Sequence, residues 1–298
     1  MGIRAAHWDD WTLERLLDAK AEQRQRVSLV VPARNEAATV GDVVTRVRET
    51  LMETVDLVDE IVVIDSDSVD DTYAVATSAG ARVHRAAEIR PDLGTHPGKG
   101  EAMWKSLFVT TGDLVVFMDA DLHDWDTHFV PGLLGPLLTD PAVQLVKGFY
   151  DRPGADGPLE GGRVTELVAR PLIALLFPSL GELVQPLAGE WAVRRDWFAS
   201  LSVPTGYAVE LAALVDTVRA RGPEAIAQVG LGTRAHRHQA LRDLGGMATQ
   251  ILAAALARAG SAAISATGDV VLRQYLRGLE PLERAVPVLE REPAEGWL

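Results

Sequence analysis

Cysteine is absent from the 298 residues. That absence removes disulfides, thiolate zinc sites and thiol nucleophiles together, and it fits a reducing compartment. Long apolar runs are lacking too. The longest, Pro171 to Gly181 and Leu244 to Ala257, fall short of the roughly 20 residues that a bilayer span needs, so no membrane span is expected. The stretch from Met1 to Arg26 carries His7, Asp9, Asp10, Glu14, Arg15, Asp18 and Lys20. It has no apolar segment of the signal-peptide kind, and the expected location is the cytoplasm. Positive charge is scarce: 29 Lys and Arg against 42 Asp and Glu give a formal net charge of -13, which argues against nucleic acid as a partner. Two phosphate-binding signatures are also missing. No Gly-x-Gly-x-x-Gly follows the first predicted strand, and Lys99 lacks both the following Ser or Thr and the upstream Gly of a P-loop. Dehydrogenase, kinase and ATPase readings therefore lose their usual support.

What remains is a globular composition, 47% hydrophobic and 24% charged, with enough apolar material for a substantial core. Val27 to Val31 reads as a strand, followed by a polar turn and a helical pattern through Val40, Val43, Val44 and Val47. Glu60 to Ile64 repeats the theme and ends in an acidic, Ser-rich turn from Asp65 to Thr72. A short strand at Arg82 to His84, a helix from Glu101 to Thr110 and the run Leu114 to Met118 follow. That last run has no polar alternation and predicts a strand buried on both faces. Strands spaced by helices predict an α/β fold, a mostly parallel sheet with helices on both sides and ligands beyond the carboxyl ends of the strands. The loops Ala33 to Glu36, Asp65 to Asp71 and Asp119 to Asp121 are then expected to converge. Beyond Leu122 the pattern is less regular: a strand near Val143 to Lys147, and helices near Val164 to Phe177, Val209 to Arg221 and Leu244 to Ala263. The divisions expected are an N-terminal helical segment (1–26), two halves of one domain (27–121 and 122–243) and a C-terminal helical extension with a tail of no assigned role (244–298).

The chemistry concentrates in a few places. Asp119-Ala120-Asp121 closes an apolar strand, where two carboxylates around a small residue can hold a hard divalent cation, Mg²⁺ or Mn²⁺, against a diphosphate. Pro32-Ala33-Arg34-Asn35-Glu36 reads equally as a nucleotide contact or as a turn whose Asn and Glu cap the next helix. Ser66 shares that ambiguity, while Asp70, Asp71 and Thr72 read as caps. Lys99, between Gly98 and Gly100 before a helix, can face a phosphate with its ammonium beside free backbone N–H groups. Arg163 follows two glycines at a helix start and suits an anionic acceptor. His236, in Arg234-Ala235-His236-Arg237, reads as a metal ligand or as a solvated basic turn.

Pro32 to Glu36, Pro97-Gly98-Lys99-Gly100-Glu101-Ala102, Asp119 to Asp121, Gly161-Gly162-Arg163-Val164-Thr165-Glu166 and Arg234 to Arg237 together resemble the glucosyl-3-phosphoglycerate synthases of actinobacteria, over about Val27 to Ile251. The resemblance implies a retaining glycosyltransferase of the GT-A fold that joins glucose from UDP-glucose to the 2-hydroxyl of 3-phosphoglycerate on the way to glucosylglycerate and methylglucose lipopolysaccharide. It implies a homodimer and a divalent cation. Carried over by motif, Pro32, Ala33, Arg34, Glu36, Ser66, Lys99, Asp119, Ala120 and Asp121 hold the nucleotide sugar, making 27–121 the donor half. Gly162, Arg163, Val164, Thr165, Tyr207, Glu210 and Arg234 hold the acceptor in 122–243. Asp121 and His236 bind the metal, and Asp121, Lys99 and Glu210 are the expected catalytic groups. The chain departs from the pattern at His238-Gln239 and at Ala188-Gly189-Glu190-Trp191. The rival readings are a mannosyl transferase using GDP-mannose, a nucleotidyltransferase and a non-catalytic sugar-nucleotide-binding protein.

Overall fold

The computed structural model describes residues 2–151, 162–234, 241–260, 268–274 and 282–298. Along the chain its strands are β1 (Arg4–His7), β2 (Val27–Ala33), β3 (Glu60–Asp65), β4 (Arg82–Arg85), β5 (Leu114–Phe117), β6 (Leu145–Asp151), β7 (Trp191–Arg194), β8 (Val203–Pro204), β9 (Ile226–Thr233), β10 (Asp269–Gln274), β11 (Leu282–Pro287) and β12 (Glu290–Arg291). The α-helices are α1 (Leu13–Glu22), α2 (Val40–Val47), α3 (Thr72–Ser78), α4 (Lys99–Ser106), α5 (Phe129–Thr139), α6 (Arg170–Leu176), α7 (Arg195–Ala199), α8 (Val209–Arg221) and α9 (Leu241–Arg258).

Eight strands form one sheet in the order β1-β9-β6-β7-β5-β2-β3-β4. Every neighbouring pair is parallel except the two that involve β7, which runs against both β5 and β6. The expected α/β architecture, mostly parallel with helices on both sides, is therefore the observed one. Side chains that alternate along each strand enter two apolar layers. In β2, Val30 joins one core with Phe117 and Trp191, while Leu29 and Val31 join the other with Val116 and Leu133. Because both faces are covered, the central strands have no polar alternation.

One expectation differs from the structure, and the tail gains elements that the sequence left open. The N-terminal segment is not helical throughout: Arg4–His7 extends the sheet by pairing in parallel with β9, and the helix starts only at Leu13, where the Thr12 hydroxyl accepts the Arg15 N–H. Four residues at a sheet edge, mostly exposed, carry almost no periodic signal. The tail, to which the sequence assigned no element, is structured. Beyond α9, β10 and β11 form an antiparallel hairpin, and β12 pairs with β8.

Candidate active site

The polar loops gather at the carboxyl edge of the sheet. Loops 33–37 and 65–72 are laced together: the Asn35 N–H donates to the Ser68 hydroxyl at 2.9 Å, Glu36 N–H to the Thr72 hydroxyl at 2.8 Å, and Val69 N–H to the Asn35 side-chain oxygen at 2.9 Å. Asn35 and Asp67 both sit at φ 58°, the left-handed region that short polar side chains tolerate. The Asp70 carboxylate accepts from Thr72 and from the Ala37 N–H, so it pins the loop, while Asp71, the N-cap of α3, makes no side-chain cap bond. Pro32 and Glu36 are half-buried, as is Ser66; Ala33 is buried and Arg34 exposed.

The second cluster is charged. The Lys99 ammonium lies 2.6 Å from Asp119 Oδ1 and 2.9 Å from Glu210 Oε1. Arg234, 1% exposed, directs one arm to Glu190 Oε1 and the Tyr150 hydroxyl, each at 2.7 Å. Its other arm reaches Asp121 Oδ1 at 3.3 Å and Asp119 Oδ2 at 3.4 Å. These groups come from strand and helix ends. Asp119 and Asp121 follow β5, Tyr150 is near the end of β6, Arg234 follows β9, Lys99 opens α4 and Glu210 lies in the first turn of α8, where the helix dipole favours a carboxylate. Glu190 reaches the same edge because β7 is reversed, so its beginning faces the site.

The electrostatics follow from this geometry. Burial disfavours the Lys99 ammonium, but Asp119 and Glu210 outweigh it and raise its pKa well above the usual value. Burial likewise opposes the Asp119 carboxylate, yet Lys99 and Arg234 hold it well below the usual carboxylate range. Burial raises Glu190, with Arg234 pulling it back. Lys147, 1% exposed in the middle of β6, is pushed down to about 8 by desolvation.

The structure brings Lys99, Asp119, Asp121, Glu210 and Arg234 together from both halves of the sequence. Ala120 is buried at 3% exposure between the two aspartates. The Lys99 turn differs from expectation: the N–H groups of Gly100 and Glu101 donate to Gly206 O and Thr205 O, so they are not available to a phosphate. The glycines serve close packing instead. A Cβ on Gly100 would lie 1.8 Å from Pro204 O, and one on Gly98, at φ 138°, 2.3 Å from Thr205 O. The Arg234 guanidinium lies against Asp119, Asp121 and Glu190. Tyr207 is 44% exposed. Gly162 is half-buried and Arg163 exposed at the start of a helix, while Val164 and Thr165 are buried. His236 lies outside the described residues. Glu190, Tyr150 and Lys147 are not among the expected site residues. The signal for Lys147 was a lone charge inside the apolar run Leu145-Val146-Lys147-Gly148-Phe149.

Among the described residues no group of three or more His, Asp and Glu side chains forms a metal site. Two hard carboxylate donors, on Asp119 and Asp121, do face one cation, the Arg234 guanidinium. That donor chemistry fits a divalent ion whose further ligands come from elsewhere.

A protein named glucosyl-3-phosphoglycerate synthase from Mycolicibacterium smegmatis is 46% identical over 289 residues, 95% of this chain and 93% of that one. This chain belongs to the glucosyl-3-phosphoglycerate synthase family. Residues 28–199 match the model of glycosyl transferase family 2. The synthase of Mycobacterium tuberculosis is 47% identical over 280 residues, 91% of this chain and 83% of that one. A crystal structure of the M. tuberculosis synthase with Mn²⁺, uridine-diphosphate-glucose and phosphoglyceric acid matches with a TM-score of 0.87 at 44% identity, covering 99% of each chain. Another, with Mn²⁺, uridine-diphosphate and glucosyl-3-phosphoglycerate, matches with a TM-score of 0.88 at 44% identity, covering 99% of this chain and 100% of that one. The fold is thus the GT-A type.

Proposed function

We propose that this transferase moves glucose from UDP-glucose to the 2-hydroxyl of 3-phosphoglycerate with retention of configuration, giving glucosyl-3-phosphoglycerate. The observation that carries this reading is the bridge made by Lys99, whose ammonium ties Asp119 of the donor half to Glu210 of the acceptor half. Around that bridge the residues divide the work. Pro32, Ala33, Arg34, Glu36 and Ser66, on the two laced loops, take the nucleoside. Lys99 supplies fixed positive charge near the diphosphate, and Arg234 helps to hold the acceptor. Gly162, Arg163, Val164 and Thr165 hold the acceptor anion, together with Tyr207. Glu210, buried in the first turn of α8, orients sugar or acceptor hydroxyls while balancing Lys99.

Asp121 and His236 are the residues that would hold a divalent cation, with Asp119 beside them. When bound, that ion supplies Lewis-acid stabilisation of charge on the departing diphosphate. The remaining contribution of the protein is placement. With the donor over the Lys99 bridge and the acceptor against the 162–165 turn, the 2-hydroxyl approaches the anomeric carbon from the side on which the diphosphate leaves, and retention follows.

Crystal structures of a relative 44% identical hold UDP-glucose, phosphoglyceric acid and Mn²⁺ in one case and uridine-diphosphate with glucosyl-3-phosphoglycerate in another, which supports UDP-glucose over GDP-mannose and transfer over mere binding. The division into donor half 27–121 and acceptor half 122–243 belongs to the same proposal. So does a homodimer, supported by Leu167 and Leu175, 74% and 80% exposed around one helical stretch. No helix among the described residues is long and apolar enough to cross a membrane, and with no cysteine to oxidise we place the enzyme in the cytoplasm.

The test is a grid of UDP-glucose, GDP-glucose and GDP-mannose against 3-phosphoglycerate, with and without Mg²⁺ or Mn²⁺. Product is expected from UDP-glucose with metal, and Asp121→Ala is expected to lower kcat/KM by on the order of 10²- to 10³-fold. Binding without transfer in every cell of the grid would overturn the proposal.

A further inference from the structure

We propose that Glu190 is a positioning residue: it holds the Arg234 guanidinium back from Asp121, leaving that carboxylate open to the divalent cation. The inference rests on the functional reading above and adds a residue to it.

The bond lengths around Arg234 fall into two groups. Those to Glu190 Oε1 and the Tyr150 hydroxyl are 2.7 Å, the length of a full charge-assisted hydrogen bond. Those to the aspartates are 3.3 Å to Asp121 Oδ1 and 3.4 and 3.5 Å to Asp119 Oδ2, close to the limit of bonding. The guanidinium is therefore anchored behind the aspartates and only leans toward them. A guanidinium without that anchor would relax into the two-pronged fork that it forms most readily with a carboxylate. Asp121 would then lose the lone pairs that a metal requires.

Glu190 is built for this single task. It is 0% exposed, so it touches neither solvent nor a substrate arriving from solvent. Its hydrogen bonds go to Arg234 and to Tyr150, while Oε2 has no partner. Keeping a carboxylate dry is costly unless its partner is well placed, and Arg234 is the cation that contacts it. The anchor is also stiff. The Glu190 carbonyl accepts the Gly148 N–H at 2.9 Å, and the Tyr150 ring lies parallel to Phe129 at 6.4 Å. Gly189, just before it, lets Asp119 approach: a Cβ there would stand 2.2 Å from Asp119 Oδ2. One short segment thus sets both the aspartate and its counter-cation.

The test compares full-length wild type with Glu190→Gln and Glu190→Asp. Mn²⁺ binding is read by calorimetry and by the electron paramagnetic resonance of free Mn²⁺, in the presence of UDP. UDP binding without metal is read alongside. For Glu190→Gln the Mn²⁺ dissociation constant is expected to rise on the order of 10- to 100-fold, the size usual for a residue that orients a metal ligand. Metal-free UDP binding should change less than about twofold, and kcat should largely recover at saturating Mn²⁺. Glu190→Asp, which keeps the charge, should restore part of the affinity. An unchanged Mn²⁺ affinity would overturn the proposal, as would equal losses in Mn²⁺ and metal-free UDP binding, the pattern of a merely structural residue. Should Glu190→Gln not fold, Tyr150→Phe removes only the second anchor; a smaller shift in the same direction is expected, and no shift refutes the idea. A wild type that binds Mn²⁺ and UDP yet transfers no glucose would instead count against the functional reading.

Discussion

Lys147 sits in an environment that opposes its charge. It lies on a central strand with its ammonium hydrogen-bonded to the Ala188 carbonyl, and desolvation lowers its pKa from the ordinary 10.5 to about 8, against the pull of Glu210, Glu190 and Asp119. The folded value lies below the unfolded one, so the folded chain binds fewer protons between those limits. The resulting cost to stability is fully present below about pH 8 and is relieved as pH rises toward 10.5. Lys147→Met lacks this titration. The melting temperature of wild type relative to that variant is therefore expected to increase from pH 7 to pH 10; a constant difference across that range would show that Lys147 is not perturbed. The neighbouring strands β5 and β7 show what the sequence revealed and hid at this scale. Asp119 and Asp121 stood out because they end an apolar run. Glu190 did not, because it precedes four residues of strand and owes its place to the pairing of β7 with β5 and β6, which no local pattern records.

Among the elements, those with strong periodicity were legible. β2, β3 and β5 are buried runs with β-branched residues, and α8 spans Val209–Arg221 as the sequence indicated. Edge strand β1 and the short β8 and β12 were not, since two to four residues carry too little alternation to register. The start of α4 lies between these cases. Its glycines signalled a special backbone, but the reason is contact with the 204–206 loop and not an open row of donors. Gly100→Ala tests that reason. A Cβ 1.8 Å from Pro204 O cannot be accommodated unless the loop and the Lys99 turn separate. The substitution is expected to cost roughly 1–3 kcal/mol of stability and to raise KM for UDP-glucose, measured by thermal unfolding and steady-state kinetics. Unchanged stability and KM would mean the turn tolerates displacement.

Across the whole molecule, the last residues hold the first half of the site in place. β12 pairs with β8, Thr205 N–H donates to Leu289 O at 3.0 Å, and Trp104 of α4 donates to Glu292 O at 3.0 Å. Arg291 reaches Glu101 through both carboxylate oxygens, at 2.6 and 2.8 Å, and Glu101 is 1% exposed. A tail with weak patterning therefore fastens the loop against which the Lys99 turn packs. Arg291→Ala leaves the Glu101 charge buried without that partner, and a loss of roughly 3–5 kcal/mol is expected in denaturant unfolding. A loss below about 1 kcal/mol, the scale of an exposed pair, would deny the strap its importance.

The reversal of β7 has a wider consequence. Each forward strand delivers its loop to the substrate edge on the way out, but β7 meets that edge on the way in, at the end of the long excursion that follows β6. Changes of length or composition in that excursion leave the register of β2, β3 and β5 as it is. Such a fold can vary that one stretch of chain without disturbing the loops that follow β2 and β3.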